Sequence, residues 1–127
     1  NRFSAGRARF ILMAMDKGYD IGHLSYPVQA VRFGRDFTIV ALAGEVVVDY
    51  SLKTKARYPG ENLFVAGYSN EVPCYIPTAA ILKEGGYEPE SSMIYYGLPG
   101  PLKDNVEEII TGGIDRVMKS VGARKKR

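Results

Sequence analysis

Two apolar runs, residues 37–43 and 63–66, constrain the fold of this chain more than any other feature. Each has the length and composition of a buried β-strand, and each ends in a glycine followed by a polar residue. That residue is Glu45 after the first run and Tyr68 after the second. Sites in open α/β sheets form outside the carboxyl ends of the strands, so we expect this carboxylate and phenol to lie near each other.

Apolar periodicity and turn residues predict most of the remaining elements. In chain order these are a helix ending over residues 7–17, a strand over 26–33 joined to the first run by a turn at 34–36, a helix over about 46–58, the second buried strand over about 62–67, and a short helix over 77–83. Residues 91–101 carry too many glycines and prolines for regular structure and are predicted to form an ordered aromatic loop.

The last helix has the clearest pattern in the sequence. Its apolar residues recur at helical spacing on one face, which is typical of a helix packed against a core. They are Val106, Ile109, Ile110, Ile114, Val117, Met118 and Val121. Asp104, with Glu107 three residues later, predicts a capping box at the start of this helix.

Strands that alternate with helices predict an α/β fold, in which a layered sheet is flanked by helices. The 127 residues suit a single α/β domain or part of one, and we expect a fragment of a larger α/β/α domain because the chain opens without methionine. The expected layout is a helix end and loop over about 1–25, a strand-helix core over 26–121 and a basic tail over 122–127.

Composition excludes several classes of protein. No apolar stretch approaches the roughly 18 residues of a membrane span, and one cysteine excludes an intrachain disulfide. The glycine-rich loops match neither the P-loop nor the dinucleotide fingerprint. The net charge of +3 comes partly from the tail, which is interpreted as a solvated end rather than a phosphate-binding one. Without a basic stripe that interleaves aromatic residues, nucleic-acid binding is not expected.

From the sequence alone, each polar candidate also has an ordinary structural interpretation. Glu45 can be a carboxylate favoured by the positive end of the following helix dipole. Tyr68 and Tyr75 can be packing residues whose hydroxyls find partners. His23, between Gly22 and Leu24, is more typical of a surface loop than of a metal site, and Cys74 behaves as a small packing residue.

The ordered motifs of residues 26–120 resemble the neutral/alkaline (non-lysosomal) ceramidase family. Val28-Gln29-Ala30-Val31-Arg32-Phe33-Gly34 and the strand ending in Gly44-Glu45 are similar to that family's "VQ…R.G" strand and its Pro-Gly-Glu strand end. Asn70 and the run Tyr75-Ile76-Pro77-Thr78 resemble its "N…Y-(I/V)-x-T" segment. Tyr87-Glu88 follows Tyr75 by the family's offset of twelve residues, and Ser92-Met93-Ile94-Tyr95-Tyr96-Gly97 resembles its "(S/T)-x-(I/V)-Y-G" stretch.

This resemblance implies a zinc-dependent amidohydrolase, in which zinc-activated water attacks an amide bond. It implies Glu45 and Tyr75 as metal ligands and Tyr87 as the catalytic phenol that stabilises the oxyanion. Two histidine ligands are expected upstream, outside this chain, in a parent protein that the family resemblance suggests is secreted or membrane-associated. Ala43, in place of the family's proline, favours a divergent member, and the expected substrate is lipid-like or another amide.

An alternative remains open: a non-catalytic binding or assembly module that keeps the ceramidase-like fold. A chain that lacks the upstream part of its parent exposes sheet edges and apolar surface, and such surfaces favour self-association. In either case the isolated chain is predicted to bind zinc weakly and to show no amidase activity, because two oxygen donors without imidazole form a poor zinc site.

Overall fold

A computed structural model describes residues 2–126 of the chain, so the predictions for Asn1 and Arg127 lie outside the described residues. These residues form five strands and five helices, together with one π-helical turn at Tyr87–Ser91. The strands are β1 (Val28–Phe33), β2 (Phe37–Leu42), β3 (Glu45–Val46), β4 (Leu63–Ala66) and β5 (Tyr75–Ile76). The helices are α1 (Arg2–Asp16), α2 (Asp49–Arg57), α3 (Ala79–Glu84), α4 (Met93–Tyr96) and α5 (Val106–Ser120).

The strands form two small sheets, one of three strands and one of two strands. β1 and β2 are an antiparallel hairpin, and β2 pairs in parallel with β4, so the first sheet has the order β1-β2-β4. β3 pairs in parallel with β5 and forms the second sheet. Because β3 continues from the end of β2, the second sheet lies at the carboxyl end of the first. The predicted α/β class is confirmed.

Helix α5 covers the sheet through the apolar face that its sequence predicts. Ile110, Ile114 and Met118 are buried in one cluster with Leu42 of β2 and Ile76 of β5. Ile109, which the periodicity assigned to the same face, is instead 58% exposed.

The first turn of the helix predicted over 46–58 does not form. Val46 lies in β3, and the backbone N–H of Val47 donates to the carbonyl of Ile76 at 3.2 Å, so α2 begins only at Asp49. β-Branched residues lose side-chain freedom in a helix and fit an extended backbone, and here a neighbouring strand is present to pair with them.

The aromatic loop predicted over residues 91–101 is partly wrong, since its first half is helical. Ser92 follows the π-helical turn and is fully buried, and its hydroxyl donates to the carbonyl of Glu88 at 2.7 Å. Helix α4 then runs to Tyr96 and ends at Gly97, whose φ of 72° is the left-handed conformation that glycine tolerates at a helix end.

The predicted capping box at the start of α5 is also wrong. The N-cap is Asn105, and it makes no side-chain capping bond. The Glu107 carboxylate instead accepts a hydrogen bond from Lys53 of α2 and a second from the backbone N–H of Ala79, at 2.9 Å, at the start of α3. The local pattern predicted the wrong partner for Glu107, because the folded chain brings Lys53 and Ala79 close to its carboxylate.

Part of the basic tail is docked on the domain. The backbone N–H of Arg124 donates to the Glu61 carboxylate at 3.0 Å, and that of Lys126 donates to the carbonyl of Arg57 at 2.8 Å. Lys125 donates to Asp115 of α5 at 2.7 Å. Residues 124–126 are exposed to solvent, as composition predicts, and they are also bonded to the domain.

Acid is expected to weaken this packing through Asp115 and Glu107. Burial pushes the pKa of Asp115 up, but hydrogen bonds from Lys125, Arg57 and Tyr58 outweigh it and leave the pKa below its usual value. The pKa of Glu107 is lowered chiefly by its hydrogen bond from Lys53. A carboxylate with a lowered folded-state pKa stabilises the fold above its unfolded pKa of about 4, and that contribution is lost as pH falls through the folded-state value.

We therefore expect the melting temperature to fall between pH 5 and pH 2, and the fall to be smaller in Asp115→Asn than in the wild type. Thermal unfolding followed by circular dichroism at a series of pH values measures this. Asp36→Asn, in the exposed hairpin turn, is the control and is expected to behave as the wild type does. An Asp115→Asn curve parallel to the wild-type curve would contradict the assignment.

Candidate functional site

Gly44 creates the junction between the two sheets. Its φ is 75°, and a Cβ atom at this position would lie 2.7 Å from Cγ1 of Ile76 and 2.8 Å from the carbonyl oxygen of Cys74. Its N–H donates to the carbonyl of Glu71 at 2.8 Å. A glycine is required because both the backbone conformation and the approach of β5 exclude a side chain. The chain therefore leaves β2 and pairs with β5 instead of continuing beside β4.

Glu45 and Tyr75 are register partners in the parallel pair β3–β5. The backbone N–H of Glu45 donates to the carbonyl of Cys74 at 3.0 Å, which fixes this register. Successive side chains of a strand point to opposite faces, and Ile76 points into the core with no exposed surface. Glu45 and Tyr75 consequently share the face away from the core. The structure therefore brings the two predicted ligands together. Both residues lie in short strands, whereas the sequence places each of them after a strand.

Tyr68 approaches the same carboxylate from the turn after β4. Its backbone N–H donates to the carbonyl of Gly44 at 2.8 Å, and that of Ser69 donates to the carbonyl of Leu42 at 3.0 Å. The φ of Tyr68 is 52°, a left-handed conformation that few non-glycine residues adopt. The two polar residues that follow the apolar runs therefore converge, as the sequence predicts.

Two more tyrosine rings surround Tyr75. The ring of Tyr87, at the start of the π-helical turn, lies 6.0 Å from the Tyr75 ring with an interplanar angle of 72°. The ring of Tyr96, at the end of α4, lies 6.3 Å away at 81°. Both are edge-to-face contacts, the arrangement that the charge distribution of aromatic rings favours. We call Glu45, Tyr68, Tyr75, Tyr87 and Tyr96 the tyrosine cluster.

The sequence did not single out Tyr96. The signal was present in the resemblance, because Tyr95-Tyr96-Gly97 lies in the stretch that is similar to the family's tyrosine-glycine motif. Of this pair, Tyr95 is 56% exposed, whereas Tyr96 is packed against the core. Which of two adjacent tyrosines faces the site depends on the phase of α4, a helix that was predicted as loop.

Burial and the nearby Glu45 carboxylate raise the pKa values of three hydroxyls in the cluster. Hydrogen bonding to Glu45 is the largest cause that raises the pKa of Tyr68, to about 12. For Tyr75 burial is the largest cause and hydrogen bonding to Glu45 the second, and both raise its pKa. Burial, followed by the charge of Glu45, also raises the pKa of Tyr96. At neutral pH Tyr68, Tyr75 and Tyr96 are therefore neutral phenols, which can act as hydrogen-bond donors.

The donor set of this cluster consists of oxygen atoms. Across residues 2–126, no group of three or more histidine, cysteine, aspartate or glutamate side chains is placed to hold a metal ion. His23, the chain's one histidine, is exposed and pairs with Asp20 at 2.7 Å. It is a surface residue, in agreement with its ordinary interpretation. A tetrahedral zinc site requires four ligands, whereas the pair Glu45 and Tyr75 offers two oxygen donors.

A cavity of about 370 Å³ lies on the other side of β5. Ile76 lines it, together with apolar residues of α5 and of the segments before β1 and after α4, and no member of the tyrosine cluster does. Because Ile76 and Tyr75 point to opposite faces of the strand, this cavity is separate from the cluster.

Cys74 is fully buried between the cluster and the core. Burial raises the pKa of its thiol to about 11, so it is neutral at physiological pH and not available as a thiolate ligand or nucleophile. The structure agrees with the packing interpretation of this residue.

No protein-family model, no curated protein and no solved structure matches the chain. Among the helices of residues 2–126, none has both the length and the apolar character needed to cross a membrane. The geometry around Glu45 therefore carries the inference about function.

Proposed function

We propose that this chain is the C-terminal portion of a ceramidase-like zinc-dependent amidohydrolase and supplies half of its metal site and one catalytic phenol. The observation that supports this most directly is the register of β3 and β5, which sets Glu45 opposite Tyr75 on one face. Tyr87, twelve residues after Tyr75, returns to contact the Tyr75 ring. A carboxylate, a candidate phenolate and a second phenol thus meet at the carboxyl end of the main sheet, where α/β sites form.

The chemistry of the donor set fits half of a zinc site. Paired strands are about 4.8 Å apart, so side chains from directly opposite residues can reach one ion through bonds of about 2 Å. Glu45 and Tyr75 would hold the zinc together with two histidines from the upstream part of the parent. When bound, zinc lowers the pKa of a water molecule to about 7 and so supplies the nucleophile for amide cleavage.

In this proposal the hydroxyl protons of Tyr75 and Tyr87 have separate roles. Tyr75 must give up its hydroxyl proton to become a ligand, so metal binding is expected to release a proton and to strengthen as pH rises. Tyr87 is 51% exposed and its ring lies against that of Tyr75. Its hydroxyl would donate to the amide oxygen as negative charge develops. One such donor typically contributes a factor of about 10²–10³ in rate.

The test is metal analysis of the complete parent protein with and without the Glu45 carboxylate. We expect about one zinc per molecule in the wild type and a substoichiometric amount in Glu45→Gln and Glu45→Ala after dialysis against a mild chelator, because a lost anionic ligand weakens the site. Glu71→Gln, an exposed glutamate in the turn before β5, is the matched control.

Two outcomes would contradict the proposal: zinc retained in full by Glu45→Ala, or a wild-type parent that holds no zinc and hydrolyses no N-acyl amide. The isolated 127-residue chain is expected to bind zinc weakly and to be inactive. A chelator-resistant stoichiometric zinc in the isolated chain would require a different ligand set.

The alternative function, a binding or assembly module, has one observation in its favour. Helix α1 leaves large apolar side chains in solvent, with Leu12 67% and Met15 63% exposed. Exposed apolar surface on a helix favours self-association. Sedimentation analysis of the chain measures it directly, and a dimer lost in Leu12→Ser without loss of parent zinc content would support assembly through α1.

A further inference from the structure

The cavity beside β5 has the size and the lining of a small-molecule site. Its volume of about 370 Å³ falls in the range that ligand pockets usually have, roughly 300–1,000 Å³. Ile76 and Ile110 form its inner wall and are almost completely buried. The lining residues nearer to solvent are mostly aliphatic, and they include Ile21, Leu24, Leu98, Leu102, Val106 and Ile109. The cavity is therefore apolar and open on one side.

Ile109 is the clearest sign that this surface is incompletely covered. Helical periodicity assigns it to the core face of α5, yet it is 58% exposed and lines the cavity. The apolar face of α5 is thus wider than the core it contacts. An apolar ligand in the cavity would remove the Ile109 side chain from water, which is favourable.

Tyr26 adds an unsatisfied hydrogen-bonding group to the lining. Its hydroxyl oxygen is buried, and no residue of the described chain, 2–126, is its hydrogen-bond partner. Burial raises the pKa of this phenol, so at physiological pH it is a neutral donor. Buried polar groups in native proteins almost always have a partner, because an unmade hydrogen bond destabilises the fold.

Hydrogen bonds hold both loops that line the cavity. In the loop before β1, Asp20 accepts from the backbone N–H of Gly22 at 2.9 Å and pairs with His23 at 2.7 Å. In the loop after α4, the carbonyl of Pro99 accepts from Arg7 of α1. A cavity whose walls are fixed before binding loses less affinity to the ordering of its own residues.

We propose that this cavity binds a small neutral ligand with an apolar body of roughly ten to fifteen non-hydrogen atoms, by comparison with an apolar cavity of about 150 Å³ that holds benzene, and with one carbonyl oxygen that accepts from the Tyr26 hydroxyl. A charged body would lose its hydration against aliphatic walls. Among the described residues that line the cavity none is acidic, so a cation in particular would have no counter-ion there. The site lies on the opposite face of β5 from the tyrosine cluster, and the inference does not rest on the proposed hydrolase.

Butyrophenone and butylbenzene are a matched pair of probes, because they differ only in a carbonyl group in place of a methylene. Each is titrated into the 127-residue chain and followed by the NMR shifts of its methyl groups. We expect both to bind, and Tyr26→Phe to weaken butyrophenone about 2- to 10-fold while it leaves butylbenzene unchanged. An unchanged butyrophenone affinity, an equal loss for both probes, or no binding of either up to its solubility limit would overturn the inference.

A second variant tests where the probes bind. Ile109→Trp enlarges an exposed side chain at the opening of the cavity, so it should weaken both probes at least about 10-fold without disturbing the core. Leu52→Trp, on α2 and 61% exposed, is the matched control and should bind both probes as the wild type does. Wild-type binding in Ile109→Trp would place the probes elsewhere and overturn the assignment.

Stability without ligand separates a binding role of the Tyr26 hydroxyl from a structural one. If the hydroxyl lacks a partner within the fold, Tyr26→Phe should melt at the wild-type temperature or above it, because phenylalanine leaves no polar atom unsatisfied. A lowered melting temperature would show that the hydroxyl is bonded within the fold, and would overturn the inference. The zinc content of the parent bears on neither result, so the two proposals can fail separately.

Discussion

Replacing Tyr87 by phenylalanine is expected to lower the amide-hydrolysis turnover of the complete parent protein by about 10²–10³-fold and to leave its zinc content unchanged. The reason is that the hydroxyl would donate to the oxyanion only as charge develops, whereas phenylalanine keeps the edge-to-face contact with the Tyr75 ring. Steady-state kinetics on an N-acyl amide, with metal analysis of the same preparation, measures both quantities.

Stability separates this role from simple packing. Tyr87 is 51% exposed, so removal of its hydroxyl should change the melting temperature little. Unchanged turnover with a lowered melting temperature would identify Tyr87 as a packing residue at the start of the π-helical turn. Tyr95→Phe, outside the cluster, is the control for the loss of a tyrosine hydroxyl elsewhere and should retain turnover.

The second large effect is expected at Gly44, where alanine should destabilise the fold by about 2–5 kcal/mol. A positive φ costs an L-residue roughly 1–2 kcal/mol, and overpacking typically costs roughly 1–3 kcal/mol more. The added Cβ would lie 2.8 Å from the Cys74 carbonyl oxygen, a backbone atom that cannot rotate away. Denaturant unfolding of Gly44→Ala against the wild type measures the difference.

Gly34→Ala is a matched control for this substitution. Gly34 also has a positive φ, 60°, in the β1–β2 turn, but nothing lies within 4 Å of its Cβ position. It should therefore show the conformational cost alone, about 1–2 kcal/mol. Equal losses at Gly34 and Gly44 would show that the close approach of β5 is not a tight constraint. In the parent, Gly44→Ala should also weaken zinc binding, because Glu45 follows directly.

The main sheet could be predicted from the sequence because its signals are local. Alternation in β1, continuous apolar residues in β2 and β4, and the turn at 34–36 each determine one element without help from the rest of the chain. The convergence of Glu45 and Tyr68 was predictable for the same reason, since it follows from where two parallel strands end.

The pairing of β3 with β5 could not be predicted in the same way. Each is two residues long, and neither has a pattern that distinguishes it from a loop. Their pairing depends on Gly44 and on the backbone of Cys74, which lie far apart in sequence. Glu107 was also predicted wrongly from local sequence. Its pattern predicted a capping box, but its carboxylate accepts a hydrogen bond from Lys53, which is distant in sequence.

The burial of Cys74 gives the chain a built-in reporter for the movement of its own site. This thiol is the single one in the sequence, lies next to Tyr75, and has no exposed surface. A thiol reagent can therefore react only in molecules whose β5 has separated transiently from β3 and the core. The rate at which Cys74 is labelled would then report how often the strand that carries Tyr75 opens. Binding of a ligand on the opposite face of that strand would lower this labelling rate.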